Sequence, residues 1–189
     1  SGRRPCAARA RLGRGQRGIV VLMSDASALN TGVIIRRDGA TGRDNRKRTI
    51  VVTGVARSGT SLVASVLRAA GLHMGDRVYD VVHEDAEMLE IVRSRDTKLL
   101  RALIQQRNTK HPVWGFKVPN LHAYMRYDEL NLFRKPHLIV IFRDPVAVAM
   151  RNALSEHTGQ LHGLIAATGA LQAMARFADH TACPLLLLS

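Results

Sequence analysis

Apolar positions along this chain alternate between short continuous runs and stretches spaced three to four residues apart. Ile50–Thr53 is a short β-branched run of the kind a buried parallel strand requires. From Thr60 to about Ala70, apolar residues at Leu62, Val63, Val66, Leu67 and Ala70 follow helical spacing, and Gly71 is placed to end the helix. Leu72–His83 carries no period and reads as loop. Between Asp85 and about Gln106, the spacing of Met88, Leu89, Ile91, Val92, Leu99, Leu100, Leu103 and Ile104 predicts one helix or two, closed by Pro112. Val113–Lys117 is a second short strand stopped by Pro119, Leu121–Phe133 reads as helical, and Pro136–Phe142 is the clearest strand. A helix over Val146–Leu154 has Pro145 in its first turn, another spans Gln160–His180 across Gly163 and Gly169, and Cys183–Leu188 is a final strand. Strands alternating with helices predict a three-layer α/β/α fold with a mainly parallel sheet and ligands at the carboxyl ends of the strands. The last strand ends the chain abruptly, so the expectation includes a C-terminally incomplete domain.

Charge divides the chain at residue 48. Residues 1–48 hold 12 Lys/Arg against 3 Asp, whereas residues 49–189 hold 16 Lys/Arg against 12 Asp/Glu. We therefore expect a basic, poorly ordered extension over 1–48 and one α/β domain over 49–189, with the linker at 36–48 leading into the first domain strand. Two apolar runs inside the extension, Gly18–Met23 and Val33–Ile35, either add strands or stay unstructured. The extension lacks the interleaved aromatics of a single-strand nucleic-acid binder, so nucleic acid is not the expected partner. Cys6 and Cys183 match no metal-ligand spacing and build no disulfide framework, which fits a reduced cytoplasmic setting. No apolar run approaches the roughly 20 residues that cross a bilayer.

Candidate chemistry concentrates where the first domain strand meets its helix. Thr49-Ile-Val-Val-Thr-Gly-Val-Ala-Arg-Ser-Gly-Thr-Ser61 ends a strand at Gly54, turns through a glycine-bounded loop and opens a helix at Thr60. Such a turn aims backbone N–H groups at a phosphate. The interval from Gly54 to Ser61 matches G-x-x-x-x-G-K-[ST], except that Thr60 stands in the lysine position and the positive charge sits in the loop at Arg57. Without that lysine the loop is poorly suited to bridging β- and γ-phosphates beside Mg²⁺.

Gly-Val-Ala-Arg57-Ser58-Gly59-Thr60-Ser61-Leu62 resembles the 5′-phosphosulfate loop of sulfotransferases that use 3′-phosphoadenosine 5′-phosphosulfate (PAPS), typically Pro-Lys/Arg-Ser-Gly-Thr-Thr/Ser. A second signature of that family, an apolar strand leading into Arg-Asn/Asp-Pro and a helix, is similar to Leu138-Ile-Val-Ile-Phe-Arg143-Asp144-Pro145. The resemblance covers roughly Thr49–Ser189 and implies a P-loop nucleotide-hydrolase-like fold, PAPS as co-substrate, and an acceptor bearing a hydroxyl or amine; no histidine pair shows convincing metal-ligand spacing, so no metal is expected. The resemblance also implies that Arg57, Ser58, Gly59, Thr60 and Ser61 hold the 5′-phosphosulfate and Arg143 the 3′-phosphate. The family usually has a serine eight residues later, where this chain has Arg151; Arg151 can bind phosphate bidentately, and Asn152 is a substitute.

The same resemblance makes Lys117 the stabiliser of the leaving oxygen, although Val118 follows it where relatives often carry an acid. Glu84 is the implied general base, with Asp85, Glu87, His83 and His122 as competitors. Each residue also has a plain structural reading: Arg57 as a solvated side chain, Thr60 as a helix cap, Arg143 in a surface ion pair, an acid at 84–87 as a helix-dipole partner. Two other functions remain open at this level. One is a P-loop nucleotide kinase or triphosphatase; the other is a non-catalytic protein whose basic segment engages nucleic acid or another polyanion. These motifs encode neither the acceptor nor the oligomeric state.

Overall fold

The computed structural model describes residues 32–36, 47–156 and 159–189. Its centre is a five-stranded sheet in the order β1-β7-β6-β2-β5, where β1 is Val33–Arg36, β2 Arg48–Gly54, β5 Val113–Lys117, β6 Pro136–Ile141 and β7 Leu185–Leu188. β2 runs parallel to both β5 and β6, and β6 parallel to β7, while β1 closes one edge antiparallel to β7. The mainly parallel α/β/α architecture expected from the hydrophobic pattern is the one found.

Side-chain alternation along the strands assigns each face its helices. Val51 of β2, Trp114 and Phe116 of β5, Leu138 and Val140 of β6 and Leu185 of β7 share one core. That core is covered by α2 (Ala86–Ser94), α3 (Thr97–Lys110) and α5 (Gln160–His180), through Met88, Leu103, Met174 and Phe177 among others. Val52 and Ile141 point to the other face, against Ala64 of α1 (Thr60–Ala69) and Met74. Trp114, Phe116 and Phe133 pack ring to ring with centroids 5.0–6.1 Å apart. α4 (Pro145–Glu156) lies against α5, with Gly163 allowing close approach: a Cβ there would stand 3.3 Å from the Ala149 carbonyl oxygen.

Three local expectations change, and one open alternative is decided. Val33–Arg36, placed in the extension over 1–48, is a strand of the sheet, so the fold reaches across the expected boundary; the remaining readings on 1–31 and 37–46 lie outside the described residues. The loop expected over 72–83 contains β3 (Val78–Tyr79), paired antiparallel with β4 (Glu84–Asp85). Two-residue strands are too short for alternation to show in sequence. The helix expected over Leu121–Phe133 is two 3-10 helices, Leu121–Ala123 and Tyr127–Leu132, separated at Arg126, whose ψ of 154° is extended. The region between Asp85 and Gln106 resolves into two helices because Arg95 turns left-handed (φ 57°) and Asp96 then caps α3, accepting from the Lys98 and Leu99 N–H groups.

Candidate functional site

β2 delivers its carboxyl end to the candidate phosphate loop, residues 54–61, and the loop has little freedom. A Cβ on Gly54 would come within 2.5 Å of the Ile141 carbonyl oxygen and 2.8 Å of Ser58 Oγ, so only glycine fits where β2 passes β6. Arg57 (φ 68°) and Gly59 (φ 107°) both take left-handed conformations. Left-handed residues set among right-handed ones turn successive N–H groups into a shared concavity suited to an anion. Arg57 does this despite its Cβ, a strained geometry of the kind that concentrates at ligand sites. Its side chain is exposed, whereas Ser58 is buried and its hydroxyl makes no hydrogen bond. Thr60 is buried in the first turn of α1, and no side chain caps that helix, leaving its first N–H groups to a ligand or solvent.

A segment that the sequence reading missed secures this loop from the β5 side. Asn120, itself left-handed at φ 52°, donates its N–H to the Gly54 carbonyl at 2.8 Å and accepts from the Ala56 N–H through Oδ1 at 3.3 Å. The Val118 N–H reaches the Val52 carbonyl at 3.1 Å, and the Leu121 N–H reaches Thr53 Oγ1 at 3.3 Å. Pro119-Asn120 after a strand signals a turn in sequence, but not which loop it will hold.

Lys117, the last residue of β5, is 1% exposed. Its ammonium donates to Val82 O at 2.6 Å, Ser61 Oγ at 3.1 Å and Glu84 Oε1 at 3.1 Å. Ser61 Oγ in turn donates to Val82 O at 3.0 Å. Three residues singled out in sequence, Ser61, Glu84 and Lys117, thus meet beneath the first turn of α1. Burial pulls the Lys117 pKa below its ordinary value, against the opposing attraction of Glu84. The β3–β4 hairpin is what brings Glu84 to this place.

The competing acids have other partners. Asp85 is fully buried, binds both guanidinium nitrogens of Arg107, and accepts the Met88 N–H as the cap of α2. Glu87 lies 3.2 Å from the same Arg107. Both are committed to fixing α2 against α3. His83 contacts Arg68 at 3.3 Å at the hairpin tip. His122 belongs elsewhere: it lines a cleft of about 530 Å³ between α2, α3, α5 and the 3-10 helices, beside Arg95, Tyr124, Phe177 and Arg176. Its Nδ1 is buried without a hydrogen bond, and burial lowers its pKa.

β6 ends at Ile141, which pairs with Gly54, so Arg143 leaves the sheet beside the phosphate loop. It is exposed, and Asp144 after it caps α4 by accepting the Ala147 N–H at 2.8 Å. Arg151 is exposed on α4 and Asn152 half-buried next to it. Sequence spacing also overlooked His73, Asp76 and His111, which come together at the opposite end of β5.

No family model matches this chain, and no curated protein matches it significantly. Among solved structures it is similar to a shikimate kinase from Bacteroides thetaiotaomicron, with a TM-score of 0.46 and 14% identity over 71% of this chain and 83% of that chain. A likeness of that size concerns the layout of strands and helices and says nothing about substrate. Among the described residues, no helix is long and apolar enough to cross a membrane. The chain has an α/β fold with a mainly parallel sheet, and a glycine-bounded loop joins the carboxyl end of the central strand β2 to α1.

Proposed function

We propose that this chain is a group transferase that binds an adenosine nucleotide at the loop between β2 and α1 and moves a sulfonate from PAPS to a hydroxyl or amine acceptor. The observation carrying this reading is the Lys117 ammonium, 3.1 Å from Ser61 Oγ. In nucleotide triphosphatases the hydroxyl at that loop position faces Mg²⁺. Here its neighbour is a buried organic cation, and Thr60 fills the place of the loop lysine. A fixed positive charge in a desolvated position can stabilise developing negative charge without a dication.

In this scheme the N–H groups of Arg57, Gly59, Thr60 and Ser61 and the Arg57 guanidinium hold the 5′-phosphosulfate, and Ser58 Oγ gains the partner it lacks. The acceptor oxygen or nitrogen attacks sulfur, the bond from sulfur to the bridging oxygen breaks, and Lys117 stabilises the charge on that oxygen. Glu84, held by Lys117, takes the acceptor proton; adenosine 3′,5′-bisphosphate leaves. Arg143, with Arg151 or Asn152, holds the 3′-phosphate. Ser61 Oγ is the Lys117 contact nearest the loop, so substrate entry exchanges that bond for one to the bridging oxygen. Positioning and electrostatics together suffice for such a transfer.

A second reading, a nucleotide kinase or triphosphatase, draws on the Gly54–Ser61 spacing and on Lys117 as a substitute for the missing loop lysine. Turnover separates the two. The protein is incubated with PAPS and a mixture of sugar and amine acceptors in EDTA, and in parallel with ATP and Mg²⁺. Release of adenosine 3′,5′-bisphosphate in EDTA, lost in Lys117→Met, is the expected result. Phosphate release from ATP that requires Mg²⁺, with PAPS untouched, would replace this proposal by the second reading.

A further inference from the structure

His73, Asp76 and His111 each offer a ligand atom, and these atoms lie within 4.8 Å of one another. We infer that these three residues form a binding site for a divalent transition-metal ion of the Zn²⁺, Co²⁺ or Ni²⁺ class, separate from the phosphate loop.

The spacing of the donors suits one ion. His73 Nε2 is buried and makes no hydrogen bond; the nearest acceptor, Asp76 Oδ1, is 3.6 Å away, beyond hydrogen-bonding range. Ligands about 2.0–2.1 Å from one tetrahedral ion stand about 3.3 Å apart, so an ion between the two satisfies both with a small shift. The His73 and His111 rings are stacked 12° from parallel with centroids 3.9 Å apart, so ion binding requires one imidazole to turn until both in-plane lone pairs meet at the ion. Asp76 is 50% exposed, which leaves solvent access for a fourth, water ligand.

The backbone holding these donors is fixed before any ion arrives. His73 O accepts the Gly115 N–H at 2.7 Å, tying its loop to β5. Gly75 turns with φ 111°, and a Cβ there would meet the Asp85 carboxylate at 2.7 Å, so the turn that presents Asp76 depends on glycine. His111 ends α3, donating its N–H to Arg107 O at 2.8 Å and accepting from Arg134 at 2.7 Å. Burial and the neighbouring His111 hold His73 toward its neutral form, the state a metal ligand requires. Two imidazoles and one carboxylate favour borderline ions over Mg²⁺ or Ca²⁺, which prefer oxygen. An ion here would staple the loop after α1, which leads to the Glu84 hairpin, onto the end of α3.

The test is a Co²⁺ titration of the full chain followed by its visible absorption, with Zn²⁺ as competitor, repeated on His73→Ala, His111→Ala and Asp76→Asn. One ion per chain is expected, with affinity at least about tenfold weaker in each variant. Zn²⁺ should raise the melting temperature of the wild type and leave that of His111→Ala unchanged. Circular dichroism confirms folding, and if His73→Ala fails that check, His111→Ala and half-exposed Asp76→Asn decide. No binding by the wild type, or binding unaltered in the folded variants, would overturn the assignment.

Discussion

At the scale of single residues, charge and burial assign different work to Arg57 and Lys117. Arg57 is exposed on a strained loop, so its removal should act on binding and leave stability alone. Arg57→Ala is expected to weaken nucleotide binding at least about tenfold, in the range of one or two charge-assisted hydrogen bonds, with no change in melting temperature. A binding isotherm beside a thermal melt checks both halves. Lys117 has all three ammonium protons committed and is desolvated. Lys117→Met removes the charge that the proposed transfer requires, yet also relieves the burial cost of that charge. Turnover should vanish while the protein stays folded, and collapse of the fold would show instead that the lysine is chiefly structural. Gly54→Ala should cost about 1–3 kcal/mol in urea unfolding, because the new methyl meets the backbone of β6.

At the scale of elements, the structure shows where sequence patterns inform and where they stop. Thr60–Ala69 was legible from its helical spacing between Gly59 and Gly71, and Val113–Lys117 as a short apolar run between Pro112 and Pro119. The β3–β4 hairpin and the 3-10 helices were not, since their geometry depends on tertiary contacts: Glu84 on Lys117, Asn120 on Gly54 and Ala56. Arg57 and Ser61 were recognisable as candidates from the loop motif, and Lys117 and Glu84 from the resemblance to sulfotransferases. That Asp85 and Glu87 belong to Arg107 was hidden, because the partner lies far along the chain. Asp85→Asn leaves a buried guanidinium short of a counter-charge and should destabilise the protein by about 3–5 kcal/mol. Glu87→Gln, at a partly exposed pair, should cost less than about 1 kcal/mol. Urea unfolding of the two variants side by side measures the difference; equal effects would refute the division of labour between these acids.

For the whole molecule, two histidines held toward neutrality predict how stability depends on pH. His73 is lowered by burial and by His111, and His122 by burial. Their pKa values in the folded protein lie below the ordinary 6.5, so between those values the unfolded chain binds more protons than the folded one. Stability is therefore retained above pH 6.5 and is lost as pH falls below it. The urea midpoint at pH 5.5 should lie below that at pH 7.5, and a double His73→Gln/His122→Gln variant should flatten the trend.

The proposed function requires a metal-independent site for an adenosine bisphosphate at the carboxyl ends of β2 and β6. Calorimetric titration with adenosine 3′,5′-bisphosphate in EDTA tests it most directly, with ATP and Mg²⁺ as the comparison and Arg57→Ala and Arg143→Ala as controls. Bisphosphate binding without metal, weakened in both variants, is the expected result. No bisphosphate binding, or binding only of ATP and only with Mg²⁺, would contradict it.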